Sequence, residues 1–350
     1  MNQPIITVII PSYNHADYIG STIESILAQT ENNFELLIID DLSSDNSLEI
    51  IKKFQDPRIK LITLQKNIGM CQTSNIGIEQ AKGKYISIIA SDDVMLPNNL
   101  QDKINFLEKN PAYGAVFSRV EAIDENGDIL YKKTKKFKKL FITDKKNRYQ
   151  WLNHFFYKAN CLAAPTMVAQ TEVIRKINGF NPIFSQAHDF DMWVKICLTG
   201  YEIFVLEEKM VQYRQRKNFG NMSSNTAKVR VRLVFDNEKI LENYLVIDDV
   251  EQLLKIFPHL SKTPVEKDLI PFFIAMEALK LKDSTYHQQF GLSCIYKLMN
   301  DEETRKKLEE KLNFTIMDFF EIVNLNPLGL GLELNKKKRF LRNIKRFFCC

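Results

Sequence analysis

No stretch of this chain approaches the roughly 20 consecutive apolar residues that a membrane-spanning helix needs, which excludes an integral span within its 350 residues. Cysteine is scarce. The six are Cys71, Cys161, Cys197, Cys294, Cys349 and Cys350, and no pair has Cys-x-x-Cys spacing. That excludes a zinc ribbon, a thioredoxin-type pair and a disulfide framework, and implies reduced thiols in a reducing, cytoplasmic compartment. Glycine is scarce too, and Gly329-Leu330-Gly331 fails as a dinucleotide loop because Leu334 stands where the third glycine belongs. The body lacks an excess of either charge. The net +5 comes from 336–350, whose seven basic residues have no acid among them; the remainder carries 41 Lys and Arg against 43 Asp and Glu. A general nucleic-acid binder, with cations lining a folded groove, is therefore excluded.

What is present is a repeated alternation of apolar strand and amphipathic helix. Residues 5–10 are β-branched and lack the basic start and small-residue cleavage site of a signal peptide, so they read as a first strand. That strand runs into Pro11-Ser12-Tyr13-Asn14, and a helix follows with Tyr18, Ile23, Ile26 and Leu27 on its apolar side. A second strand at 34–39 ends in Asp40-Asp41-Leu42-Ser43-Ser44-Asp45 before a helix at 47–54. A third at 59–64 leads to Lys66-Asn67-Ile68-Gly69, with a helix at 74–80. The fourth, 86–94, runs into Ser91-Asp92-Asp93. Such a pattern predicts an α/β fold whose mainly parallel, Rossmann-like sheet carries helices on both faces. Each strand's C-terminal end is polar, and that edge is where open α/β sheets bind ligands. Length allows this domain plus a smaller appended unit.

Each cluster also has a structural reading. Tyr13 could be a turn aromatic or a stacking platform for a nucleobase. Asp40 and Asp41 could cap the next helix or accept a base N–H, and Asp92-Asp93 could cap a helix beginning near Asn98. Gly69 reads as a residue with positive φ.

Taken in order, Pro11-Ser12-Tyr13-Asn14, Asp40-Asp41 with Ser44-Asp45, Asn67-Ile68-Gly69 and Ser91-Asp92-Asp93 resemble the donor half of a family 2 inverting glycosyltransferase with the GT-A fold. The resemblance implies a donor site of Pro11, Tyr13, Asn14, Asp41, Asn67, Gly69 and Asp92. Tyr13 and Asp41 would hold the base, and Asp92 with Asp93 the ribose and a Mn²⁺ or Mg²⁺ ion. Ala90 departs from the family's usual Asp-x-Asp-Asp.

A second block, Ala164-Pro165-Thr166-Met167-Val168, Asn178-Gly179-Phe180 and His188-Asp189-Phe190-Asp191-Met192-Trp193, resembles the same family's acceptor half. It implies Asp189 as catalytic base, with Asp191 second. Both also suit the positive end of a helix at 192–198. Further on, Val211-Gln212-Tyr213-Arg214-Gln215-Arg216 and Asn221-Met222-Ser223 resemble the segment that closes the family's active site, with Arg216 where many members have a metal-binding His. An arginine cannot ligate a metal but can fork onto phosphate, so Arg216 is expected to take part of the leaving group's charge.

The resemblance covers residues 4–225 and implies an enzyme moving a sugar, most simply from a UDP-sugar, to a hydroxyl of a glycan or lipid-linked acceptor in lipopolysaccharide, capsule or other cell-surface polysaccharide synthesis. Two alternatives stand beside it. A nucleotidyltransferase would need a Gly-rich basic loop that Pro11-Ser12-Tyr13-Asn14-His15 lacks; a non-catalytic sugar-nucleotide or glycan-binding module is suggested by Ala90, His188 and Arg216. The expected organisation is a glycosyltransferase domain at 1–225 (donor half 1–100, acceptor half 101–225), a helical region at 226–335 and a basic tail at 336–350. The lysine-rich stretch 132–148 reads as a solvated loop, or as an acceptor or membrane-facing loop drawn to anionic headgroups or phosphosugars. In the tail, Phe340, Leu341, Ile344, Phe347 and Phe348 share one helical face amid Lys and Arg, which predicts peripheral contact with an anionic membrane on its inner face.

Overall fold

The computed structural model describes residues 3–141, 144–217, 221 and 226–325. Met222, Ser223, Gly329–Gly331 and the tail at 336–350 lie outside them. The chain forms two compact units. The first holds residues up to Trp151 and Asn160–Val229; the second holds Leu152–Ala159 and the residues from Arg230 on. The division thus falls four residues beyond the expected boundary at 225, and it assigns an eight-residue piece of the acceptor half to the helical unit.

The first unit is built on one eight-stranded sheet, β1 (Ile6–Ser12), β2 (Phe34–Asp40), β3 (Ile59–Thr63), β4 (Tyr85–Ile88), β5 (Val94–Met95), β6 (Tyr113–Ile123), β7 (Val168–Gln170) and β8 (Glu202–Arg214), in the order β3-β2-β1-β4-β7-β6-β8-β5. Its β3-β2-β1-β4 half is parallel throughout, and β6 and β8 also run parallel; β7 is antiparallel to β4 and β6, and β5 to β8. Ile6, Val8, Ile9 and Ile10 of β1 are fully buried on both faces, as expected for a central strand clad by helices. Its helices are α1 (Ala16–Leu27), α2 (Ser47–Lys52), α3 (Met70–Gln80), α4 (Asn99–Lys109), α5 (Tyr131–Leu140), α7 (Thr171–Lys176) and α8 (His188–Leu198), with the first turn of α6 (Arg148–Lys158), whose residues from Leu152 on belong to the second unit. Ile19, Ile23 and Ile26 of α1 and Leu100, Ile104 and Leu107 of α4 join Val8, Ile10, Leu36 and Ile38 in one core. On β1's other face α3 lies so close that a Cβ at Gly77 would stand 2.7 Å from Ile9 Cγ2, so only glycine fits there.

Three local expectations are corrected. The fourth strand is two pieces, because the chain turns at Ala90–Asp93, with the Asp93 N–H donating to the Ala90 carbonyl (3.2 Å), before Val94 and Met95 pair with β8. Carboxylates cannot sit in a dry ladder, and the turn removes them from it. Helix α3 starts at Met70 rather than Ser74, directly after Gly69 at φ +83°. The lysine-rich stretch holds a helix, α5, pinned by buried Phe137 and by Thr134 Oγ1, which accepts the Ala122 N–H at 2.9 Å.

The second unit is helical as expected. It contains most of α9 (Ala227–Glu242), then α10 (Val250–Ile256), α11 (Ile270–Leu279), α12 (Thr285–Asn300), α13 (Glu302–Leu312) and α14 (Ile316–Leu325). Its interior satisfies one buried carboxylate fully. Glu277, 1% exposed, accepts from Tyr157 Oη (2.5 Å), His259 Nε2 (2.9 Å) and Lys280 Nζ (2.5 Å). No helix among the described residues is long and apolar enough to cross a membrane.

Candidate active site

A cleft of about 590 Å³ opens at the C-terminal edge of β1 and β4, where the strand order reverses, the position at which open α/β sheets bind ligands. Of the expected donor residues, Pro11, Tyr13, Asp41, Asn67, Gly69, Asp92 and Arg216 line it together with Asp93 and Asp189. Asn14 and Asp191 do not. Asn14, at φ +52°, turns its Oδ1 to the Ser44 N–H (2.8 Å) and stitches the β1 loop to the β2 loop. Asp191, 1% exposed, is ion-paired with Lys195 at 2.6 Å within α8.

The Asp41 side of the cleft is assembled by backbone N–H groups. Both carboxylate oxygens of Asp41 accept N–H groups, from Ile68 and Gly69 at 2.8 Å each, and Asn67 Nδ2 donates to the Asp41 carbonyl at 3.1 Å. Asp41 thereby shapes the loop before α3, leaving only its remaining lone pairs for a ligand. Asp40 and Asp45 serve turns: Asp40 accepts from Ser43 N (2.9 Å), and Asp45 from Ser47 N and Ala16 N (2.9 Å each). Tyr13, by contrast, is 47% exposed at the cleft wall, free to present a ring face.

The acidic turn is tied to the end of β8. The Arg214 N–H donates to Asp93 Oδ1 (2.8 Å) and Arg214 Nε to the Asp92 carbonyl (2.7 Å), while the same guanidinium stacks over Tyr18 at 4.9 Å. Arg216 Nε stands 3.3 Å from Asp92 Oδ2. Asp93 is 1% exposed and its Oδ2 has no partner among the described residues. Burial, and next the neighbouring Asp92 charge, push its carboxyl well above the usual range. A cation would relieve that repulsion. Among the described residues no third His, Cys, Asp or Glu joins the pair in a metal-binding group. Two carboxylates suit a hard ion that takes its other ligands from water and substrate phosphates, so the residues present fit a Mg²⁺ or Mn²⁺ ion.

Asp189 lies in the first turn of α8. Its Oδ1 accepts the Phe190 N–H (2.7 Å) and its Oδ2 accepts from Asn160 Nδ2 (3.1 Å). Burial raises its carboxyl above the ordinary aspartate range, opposed by the His188 charge and these hydrogen bonds. Asn75 of α3 brackets the Gly179-Phe180 turn, accepting from Phe180 N (2.9 Å) and donating to its carbonyl (2.8 Å), and so fixes Phe180 in the cleft wall.

Sequence reasoning missed several participants. His15 lines the cleft and bonds through Nδ1 to Ser91 Oγ at 2.6 Å; burial lowers its pKa, which leaves it neutral at physiological pH. Its only sequence signal was adjacency to Pro11-Ser12-Tyr13-Asn14. Asn160, which orients Asp189, had none. Ser12 Oγ and Trp193 Nε1 are, with Asp93 Oδ2, buried polar atoms without a partner among the described residues, and all three residues line this cleft. Orphaned polar atoms are rare in folded proteins, and their gathering in one place marks a site that a polar ligand completes.

The sheet order and the cleft at its reversal point have the GT-A architecture expected from the sequence. The sequence profile of glycosyl transferase family 2 matches residues 7–166. The chain is 31% identical over 218 residues to an uncharacterised glycosyltransferase of Methanocaldococcus jannaschii, spanning 61% of this chain and 72% of that one. It is 30% identical over 229 residues to the UDP-Glc:α-D-GlcNAc-diphosphoundecaprenol β-1,3-glucosyltransferase WfgD of Escherichia coli, covering 65% and 83% of the two chains. With the putative teichuronic acid biosynthesis glycosyltransferase TuaG of Bacillus subtilis the identity is 27%, over 67% and 87%. Among solved structures, residues 1–349 of S. aureus TarS in complex with UDP-GlcNAc superpose with a TM-score of 0.56 at 20% identity, covering 88% and 91%. This chain belongs to glycosyl transferase family 2, and it is an enzyme.

Proposed function

We propose that this enzyme transfers a sugar, with inversion at the anomeric carbon, from a UDP-sugar to a hydroxyl of a glycan or lipid-linked acceptor in cell-surface polysaccharide synthesis at the cytoplasmic face of the membrane. The observation that carries the reading is a partly buried carboxylate of raised basicity, Asp189, in the same cleft as the paired acids Asp92 and Asp93. WfgD is a UDP-Glc-dependent glucosyltransferase and TarS binds UDP-GlcNAc, which favours a uridine donor.

In this mechanism Tyr13 stacks on the base, and Pro11, Asn67 and Gly69 shape the pocket around it. A divalent ion held by Asp92 and Asp93 would supply Lewis-acid neutralisation of the diphosphate. Arg216, alongside Asp92, adds a forked donor to the same phosphates. Asp189 Oδ removes the acceptor proton as the hydroxyl attacks, and Asn160 keeps that carboxylate aimed. A single displacement needs no second nucleophile, and the supporting position of Asp191 in an ion pair agrees with one base.

A thermal-shift panel of UDP, GDP, CDP and dTDP, each with and without Mn²⁺, tests the donor site, since a ligand that binds only the folded state raises its stability. Selective, metal-enhanced stabilisation by UDP is expected. No shift with any nucleotide at millimolar concentration would remove the proposal, and a retained anomeric configuration in the product would remove the inverting step alone.

A further inference from the structure

Apart from the catalytic cleft, the first unit carries a second groove of about 670 Å³, lined by α5, β6 and β8. Helix α5 reads Tyr-Lys-Lys-Thr-Lys-Lys-Phe-Lys-Lys-Leu, so six of its ten residues are lysines. All six are exposed, and none forms an ion pair with a described residue. Lys132, Lys135 and Lys138 follow one another along the groove's rim above a floor that includes Val120, Phe137 and Phe141. Like charges three and four residues apart on a helix repel one another, so nothing in helix stability accounts for this arrangement. The acids on the opposite wall are already engaged in part: Glu121 pairs with Lys209 at 2.5 Å and Glu207 with Arg119 at 3.5 Å, which leaves Glu208. The same helix exposes bulky apolar groups at its two ends, Tyr131 at 76% and Leu140 at 51%.

We propose that α5 and its groove form the surface on which the enzyme docks to an anionic lipid bilayer, with the lysines on phosphate headgroups and Tyr131 and Leu140 in the interface. A free phosphate would use the lysines but gain nothing from exposed Tyr and Leu side chains; an anionic bilayer interface matches both. The helix is also joined to the catalytic machinery. Phe137 packs at 5.7 Å against the ring of Tyr213, and Tyr213 lines the catalytic cleft. Docking here deepens the reading of a lipid-linked acceptor, since it would hold the cleft beside the membrane that carries such a substrate.

The test is sedimentation of the full chain with phosphatidylglycerol vesicles and with neutral phosphatidylcholine vesicles, without substrate, so that it is independent of catalysis. The basic segment at 336–350 requires its own arm. Each lysine near an anionic surface is worth roughly a fivefold factor in binding, so the combined Lys132→Gln, Lys135→Gln and Lys138→Gln variant should bind phosphatidylglycerol vesicles about a hundredfold more weakly. Its melting temperature and its turnover of a soluble acceptor should be unchanged. Less than a threefold loss would overturn the proposal, as would equal binding of the parent to neutral vesicles. So would release by millimolar inorganic phosphate at constant ionic strength, or loss of binding only when Lys336, Lys337 and Lys338 are changed to Gln.

Discussion

Replacing Asp189 with Asn isolates the chemical step. Asparagine is isosteric and keeps an oxygen for the Phe190 N–H at 2.7 Å, while Asn160, held by the Leu162 N–H on its Oδ1 at 3.0 Å, loses only the acceptor of its Nδ2, so the cleft should keep its shape. What disappears is the ability to take a proton. General-base assistance is worth roughly 10²–10⁴-fold in rate, or about 3–5 kcal/mol of barrier, and kcat should fall by that factor. The donor KM should move less than threefold, because Asp189 faces the acceptor in this mechanism. Since burial raises the Asp189 carboxyl, the acid limb of the kcat/KM profile of the parent should sit above the ordinary aspartate value of 3.8. Single-turnover measurements with UDP-sugar, read alongside UDP binding by calorimetry, separate the two effects. A variant that keeps more than a tenth of the parent kcat, or that loses UDP binding together with turnover, would refute Asp189 as the base.

Asp93→Asn should trade activity for stability. It exchanges a buried carboxylate charge beside Asp92 for a neutral amide, whose desolvation costs less by on the order of 1–3 kcal/mol, and so should raise the melting temperature by roughly 2–10 °C at pH 7.5 while turnover collapses. The sign follows from the carboxyl's raised value: the folded state holds the proton more tightly than the unfolded chain, so this contribution to stability is present at low pH and lost as pH rises past the usual aspartate range. The variant's stability should therefore vary less with pH than the parent's, and an equal slope in calorimetric melts would contradict this. Asp41→Asn should act on binding, because one of the Ile68 and Gly69 N–H groups loses its acceptor; a rise of about 5- to 100-fold in donor KM with little change in kcat is expected, from the 1–3 kcal/mol cost of an unmet buried group. Arg216→His should lower kcat about tenfold or more and steepen the dependence on Mn²⁺, and unchanged values in a metal titration would show that Arg216 does not touch the diphosphate.

The sequence alone determined the architecture of the first unit, because a β-branched run such as residues 6–10 has only one stable home, a strand buried on both faces, and polar clusters after each such strand must collect at one edge. Helical periodicity likewise fixed the character of the residues beyond 226. Residue pattern by itself did not distinguish the two acids of each pair; only the resemblance to the family put Asp41 and Asp189 first. Asp40 and Asp41 are neighbours in sequence, yet one caps a turn and the other anchors the loop at Gly69, and Asp189 and Asp191 differ only in which side of α8 each occupies. One residue of displacement along a strand or helix turns a side chain to another face, and what waits at that face comes from distant parts of the chain. Asn160 beside Asp189, Arg214 against Asp93 and Ser91 against His15 are such partners. Local pattern carries no information about them, so the roles of these residues were decided only when the sheet closed.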